Sequence, residues 1–227
     1  TPPWGNDQKR RKTEESAAPA QEEEEEPSWC KSFVKSGGLK HITRTLLNLD
    51  FATALSTGDG AKSILFPLRC IHSLAKLVSF FLKNEKEAVG NHFDEATMQA
   101  LLGHVLQLIV TCTEVEFRDR PQPESLAMVQ LKEEIAEAGE VCEQALMLLR
   151  AMVNFDTDLV RHAFGACRAP FEQAVLSALL KTPNHRVRVK CVVILRDTFD
   201  GSVGGDDDLA SMISLLFGLL PHSKNSV

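Results

Sequence analysis

Apolar residues recur every three or four positions along most of this 227-residue chain. The clearest case is the set Phe171, Ala174, Val175, Ala178 and Leu179, whose spacing is that of the stripe with which an amphipathic helix covers a core. Similar runs, separated by short breaks, occupy residues 33–49, 64–82, 98–115, 124–153, 156–164, 170–181, 186–199 and 206–220. No segment has the convincing two-residue alternation of a half-buried strand. The pattern therefore predicts an all-α fold.

Glycine, proline and short polar side chains mark the expected ends of these helices. Gly37 and Gly38 are predicted to end the first helix, because glycine adopts positive φ without a clash from a Cβ atom. Asp94 and Asp156 are predicted to cap the helices that follow them. Pro170 is expected to begin a separate helix after a short break.

Composition divides the chain into three parts. Residues 1–27 hold eight acids, five of them consecutive glutamates, and four bases, with too little apolar surface to offset the entropy of ordering. We expect this acidic leader to be disordered, a helical-repeat domain to span 28–220, and 221–227 to form a flexible tail. Because the chain begins at Thr1 rather than Met, we expect it to be a piece of a longer protein.

The leader also contains a short basic cluster, formed by Lys9, Arg10, Arg11 and Lys12. A nuclear import receptor binds clusters of this kind in flexible segments, and a merely solvated tail is the alternative interpretation. The sequence therefore predicts a cytoplasmic protein, with the nucleus as a second location that this cluster would support.

The charge balance argues against a nucleic-acid partner. The chain has a formal net charge of -6. The leader accounts for -4 of this, so that the remaining residues carry only -2. Nucleic-acid binding depends on clustered Lys and Arg that neutralise phosphates. No signal peptide, membrane-spanning run or Asn-x-Ser/Thr acceptor is evident, and the six cysteines are spread singly, as is typical of a protein in a reducing compartment.

Candidate reactive residues do not converge in the sequence. Cys70 and His72 are the nearest thiol and imidazole, but residues two apart on a helix point about 200° away from each other. The histidines and cysteines lack the close spacing of metal ligands, and the glycines lack either phosphate-binding pattern. We therefore assign no catalytic, cofactor-binding or metal-ligating residue and expect no cofactor.

One basic patch surrounds a predicted inter-helix loop and the helix that follows it. Its members are Lys181, His185, Arg186, Arg188, Lys190 and Arg196. Such a patch could form a ridge that contacts an acidic protein partner. A solvated helix face is the alternative interpretation.

Two segments resemble armadillo repeats. The GG-L-x-x-I-x-x-x-L-L pattern over 37–47 resembles the turn and third helix of a repeat, and 174–199 resembles the passage from one repeat to the next. The resemblance implies an armadillo/HEAT-like, right-handed superhelical stack of helices that presents a protein-binding surface.

Together with the acidic leader, these segments resemble the helical-repeat regions of giant ubiquitin-specific proteases. That resemblance implies a non-catalytic scaffold within a thiol-dependent deubiquitinase, whose catalytic Cys and His boxes are not visible in this chain. The same segments also resemble the armadillo regions of formins, which implies a small GTPase as the partner. An independent enzyme with a cryptic thiol site is a third possibility.

Overall fold

A computed structural model describes residues 29–49, 64–90, 93–115, 125–155 and 157–199. Within these ranges the chain forms eight helices and no strand, which confirms the predicted all-α class. The helices are α1 (Trp29–Lys35), α2 (Gly38–Asn48), α3 (Leu65–Asn84), α4 (Lys86–Gly90), α5 (Glu95–Val115), α6 (Leu126–Val153), α7 (Thr157–Lys181) and α8 (His185–Phe199). The predicted leader, tail and last helix over 206–220 lie outside the described residues, as does the predicted cap Asp156.

The longer helices pack as three hairpins in two layers. Helix α2 pairs with α3, α5 with α6, and α7 with α8. One layer contains α3, α6 and α8, which stack on one another in that order, and the other contains α2, α5 and α7. The short helices α1 and α4 contact each other at the end of the stack formed by α2 and α3.

Helices α3 and α6 run parallel within their layer. Arg69 Nε donates to Glu137 Oε2 at 3.2 Å, and Lys86 Nζ, just beyond the end of α3, donates to the backbone oxygen of Asn154 at 2.7 Å. Both contacts join residues 68 positions apart, and a constant separation between two helices means that they run in the same direction.

The next pair in this layer, α6 and α8, is parallel as well. Lys190 Nζ lies 3.3 Å from Met147 Sδ, and Arg150 Nε donates to Asp197 Oδ2 at 2.6 Å. These contacts join residues 43 and 47 positions apart. Parallel stacking of equivalent helices at such spacings is typical of successive hairpins in helical-repeat proteins.

Helix α5 supplies much of the buried core because it contacts both other hairpins. Its buried apolar side chains are Met98, Leu101, Leu102, Val105, Leu106, Leu108, Ile109, Cys112 and Val115. By length and composition α5 and α3 could each cross a membrane, with mean hydropathies of 1.3 and 1.4. Core helices of water-soluble proteins share this composition, and the absence of a membrane span stays a prediction.

The helix ends follow the predicted capping chemistry in part. Asp94 caps α5, because its Oδ1 accepts a hydrogen bond from the Thr97 backbone N–H at 2.7 Å. Gly37 adopts φ 85° between α1 and α2, as predicted. The prediction for Gly38 was wrong, because this residue is the first of α2 and has no positive φ.

The predicted break before Pro170 was also wrong. Helix α7 is continuous from Thr157 to Lys181 and contains Pro170 in its interior. Proline in a helix interior costs about 3 kcal/mol, since it lacks the N–H and its ring crowds the preceding turn. The next turn buries Phe171, Ala174 and Val175 in the core, and this burial offsets the cost.

Candidate functional site

The six residues of the predicted basic patch do not share one face of α8. Lys181 is the last residue of α7, and Arg186 and Arg188 are exposed near the start of α8 but lie about 200° apart around its axis. The Arg186 backbone N–H donates to Asn184 Oδ1 at 3.0 Å, which helps to begin the helix. His185 is exposed one residue earlier.

The remaining two members, Lys190 and Arg196, are held by neighbouring acids. Lys190 is half-buried, and its Nζ lies 3.1 Å from Glu143 Oε1 on α6. Arg196 donates through Nη2 to Asp197 Oδ1 at 2.9 Å, and the other oxygen of Asp197 accepts from Arg150. Lys190 and Arg196 are therefore placed beside charged residues of α6.

Three further cations gather where α3 and α6 end. Lys83, Lys86 and Arg150 line a recess of about 260 Å³, together with Leu82, Ala151 and Asn154. No acidic side chain belongs to this lining among the described residues. We define the cationic surface as Lys83, Lys86, Arg150, Lys190 and Arg196.

The members of the cationic surface influence one another electrostatically. Desolvation is the main cause of the lowered pKa of Lys83, and the positive charges of Arg150 and Lys190 lower it further. A lysine whose pKa is lowered by nearby cations lies in a region of positive potential. An anionic group that entered the recess would relieve this repulsion.

Asp197 and Glu143 contact members of the cationic surface among the described residues. Desolvation alone would raise the pKa of Asp197, but the hydrogen bonds and charges of Arg196 and Arg150 outweigh it and hold the pKa below the ordinary 3.8. Asp197 is therefore ionised at neutral pH. Glu143 contacts Lys190 in the same region, whereas the described lining of the recess formed by Lys83, Lys86 and Arg150 contains no acid.

Exposed apolar side chains adjoin the cationic surface. On α3, Phe80 is 46% exposed and lies one turn before Lys83, and Leu77, 44% exposed, lies one turn before Phe80. On α8, Val192 is 54% exposed and lies one turn before Arg196. The surface thus offers apolar contacts beside positive charges.

Three buried thiols, those of Cys112, Cys167 and Cys191, are poor candidates for nucleophiles. Burial raises the pKa of Cys112 and Cys167, and it raises the pKa of Cys191 to about 12. These three thiols are therefore protonated at neutral pH, whereas the thiolate is the nucleophilic form. In the part of the chain that the structure describes, no three His, Cys, Asp or Glu side chains are grouped so as to hold a metal ion.

Sequence reasoning found Lys190 and Arg196 but missed Lys83, Lys86 and Arg150. The sequence contains no signal for these three residues, because only the packing of α3 against α6 brings them together across more than sixty positions. The basic cluster Lys9–Lys12 lies outside the described residues. Comparisons with protein-family models, curated proteins and solved structures found no match to this chain.

Proposed function

We propose that this chain is a non-catalytic protein-binding module that captures an acidic segment of a partner protein on the cationic surface. The observation that carries the proposal is the recess lined by Lys83, Lys86 and Arg150, whose described lining contains no acid. We further propose that its hairpins continue an armadillo/HEAT-like, right-handed superhelical stack, with α3, α6 and α8 forming the binding layer.

The mixed character of the surface favours a protein over a nucleic acid. Nucleic-acid interfaces are strongly basic, whereas protein interfaces combine an apolar centre with a polar rim. Leu77, Phe80 and Val192 can supply apolar contacts, and the neighbouring cations select a partner by charge. The occupant of this surface is therefore an acidic polypeptide that also carries apolar side chains.

The parallel two-layer packing is compatible with the larger proteins suggested by the repeat resemblance. In a ubiquitin-specific protease, the module would position a substrate or a regulator outside the catalytic domain. In a formin-like protein, it would bind a small GTPase. Ubiquitin chains and nucleotide-loaded GTPases are therefore the two named proteins to test after an acidic peptide.

Fluorescence anisotropy of a labelled Glu-rich peptide with two apolar residues would test the proposal on the full chain. We expect saturable binding that weakens as salt is added, and a loss of about tenfold in affinity for Lys83→Glu, because like charge then opposes the ligand. Lys132→Glu is the matched control. Lys132 is an exposed cation on α6, about 27 Å from Arg150 along the helix axis.

Equal affinity of the wild type and Lys83→Glu would refute the proposed surface, provided that circular dichroism confirms the helical fold of both. An equal loss in Lys83→Glu and Lys132→Glu would also refute it, because only the overall charge would then matter. Pull-down of ubiquitin chains or a GTP-loaded GTPase that is lost with Lys83→Glu would identify the class of partner.

A further inference from the structure

A second recess lies between α2 and the start of α5, in the other layer of the stack. Its volume is about 320 Å³, which is in the range of small-molecule pockets. It is lined by Lys40, Thr43, Arg44, Leu47, Asn48, Phe93, Asp94 and Thr97. The lining therefore combines the apolar side chains Leu47 and Phe93 with charged and hydrogen-bonding groups.

Thr43 is an unsatisfied polar residue in the wall of this recess. It is only 2% exposed, and its Oγ1 has no hydrogen-bond partner among the described residues. A helical threonine commonly donates to the backbone oxygen four residues earlier, as Thr45 does to His41 at 2.9 Å. A buried polar atom without a partner destabilises a fold, and a hydrogen-bonding group placed in the adjoining cavity would satisfy the Thr43 hydroxyl.

The charges around the recess favour an anion. Lys40 and Arg44 lie one helical turn apart, so that both cations border the same cavity. Asp94 is the only acid among the described lining residues. Its carboxylate already caps α5 through Thr97, and its pKa is lowered chiefly by these hydrogen bonds and also by the charge of Lys40. One cation therefore remains without a counter-charge in the lining.

We propose that the recess between α2 and α5 binds an oxyanion carried on an apolar body, that is, an organic phosphate or carboxylate. The Thr43 hydroxyl donates to the oxyanion, Arg44 supplies the opposite charge, and Leu47 and Phe93 contact the apolar body. A free small molecule and an acidic side chain of a polypeptide share this chemistry. The site is separate from the cationic surface and does not depend on it.

Methyl NMR of the full chain, with phenyl phosphate, phenylacetate and a blocked Asp-Phe dipeptide as probes, would test the site. We expect at least one probe to cause saturable shifts of the methyl groups of Thr43 and Leu47. Benzyl alcohol and inorganic phosphate, which each lack one half of the proposed ligand, should bind about tenfold more weakly, since each loses either the charged hydrogen bonds or the apolar contact. Saturation by the dipeptide alone would assign the site to polypeptides, and saturation by the small anions alone would assign it to metabolites.

Thr43→Val separates a ligand contact from a structural role. It removes the hydroxyl at nearly constant volume, and we expect a higher thermal midpoint without ligand and about tenfold weaker binding of the probe. Thr45→Val is the matched control and should leave the affinity unchanged. Arg44→Gln should weaken binding of the probe, whereas Lys83→Glu should leave it unchanged. The proposal for this recess and the proposal for the cationic surface can therefore be refuted separately.

Two results would overturn this proposal. The first is the absence of saturable shifts with all three probes. The second is saturable binding that neither Thr43→Val nor Arg44→Gln changes, because the ligand would then lie elsewhere on the protein.

Discussion

The buried carboxylate of Glu134 links two successive hairpins, and its removal should weaken the stack. Glu134 lies on α6 and is 6% exposed. Its Oε1 accepts a hydrogen bond from the backbone N–H of Ile64 at 3.3 Å and another from Gln130 Nε2 at 3.1 Å. Ile64 is the residue at the start of α3, where backbone N–H groups lack partners within the helix. Glu134 therefore caps a helix that lies 70 positions earlier in the chain.

The size of the effect is worked from the hydrogen bond to Ile64 and from the negative charge at the start of α3. A hydrogen bond to a charged group contributes about 1.5 to 3 kcal/mol, and a negative charge at a helix N-terminus adds about 0.3 to 1 kcal/mol. Glu134→Ala leaves the Ile64 N–H without its acceptor, and we expect the free energy of unfolding to fall by about 2 to 3 kcal/mol. Glu134→Gln keeps an amide oxygen as an acceptor and loses the charge, so that about 1 kcal/mol should be lost.

Urea unfolding followed by circular dichroism would measure both changes. With a slope of about 2 kcal/mol per molar urea, the midpoint of Glu134→Ala should fall by about 1 M. Glu133→Ala is the control, because Glu133 is the exposed neighbour on the same helix and its removal should change stability by less than about 0.5 kcal/mol. If Glu134→Ala and Glu133→Ala unfold at the same urea concentration, the carboxylate of Glu134 does not cap α3.

Two further predictions concern packing and pH. A Cβ atom at Gly38 would overlap the ring of Phe33, so Gly38→Ala should destabilise the fold by about 1 to 3 kcal/mol. Gly103 lies in the middle of α5, and a Cβ atom there would contact no neighbouring atom. Gly103→Ala should therefore stabilise the fold by about 0.5 to 1 kcal/mol. Urea midpoints that move in the same direction would contradict the proposed overlap. Desolvation lowers the pKa of His104 in the folded protein below the ordinary 6.5. His104 therefore binds a proton more readily in the unfolded chain than in the folded one. The free energy of unfolding should consequently fall as the pH drops below 6.5. His104→Gln should flatten this part of the profile of thermal midpoint against pH, and an unchanged profile would exclude His104 as its source.

The sequence periodicity predicted which residues are buried better than it predicted how the helices meet. Of the stripe predicted from Phe171 to Leu179, four residues are buried in the structure, and Leu179 is partly buried and packs against the core. The break predicted before Pro170 is absent, because a proline inside a helix costs about 3 kcal/mol and burial of the next turn of apolar residues contributes more than this. A proline rule applied without knowledge of the packing partner α5 could not predict a continuous helix.

The candidate sites depended still more on tertiary structure. Lys190 and Arg196 were visible as part of a basic segment, but Lys83 and Arg150 are cations in the last turns of two different helices and are 67 positions apart in the sequence. Their proximity results from the parallel stacking of α3 on α6. The same limit applies to Thr43, which has the sequence environment of an ordinary helical threonine and becomes informative only through its burial and its missing partner.

The ion pair between α6 and α8 contributes less to stability than the apolar contacts beneath it. In the pair Arg150–Asp197 the arginine side chain is 42% and the aspartate side chain 13% exposed, and a partly exposed ion pair of this kind contributes about 1 kcal/mol. By contrast, α8 buries Val187 and Ile194, and burial of one such side chain contributes about 1.5 to 3 kcal/mol. A carboxylate of the proposed partner would therefore compete with Asp197 for Arg150 at a cost of about 1 kcal/mol to the fold. In the proposed complex, the cationic surface would therefore exchange Asp197 for an acid of the ligand while the hairpins stay stacked.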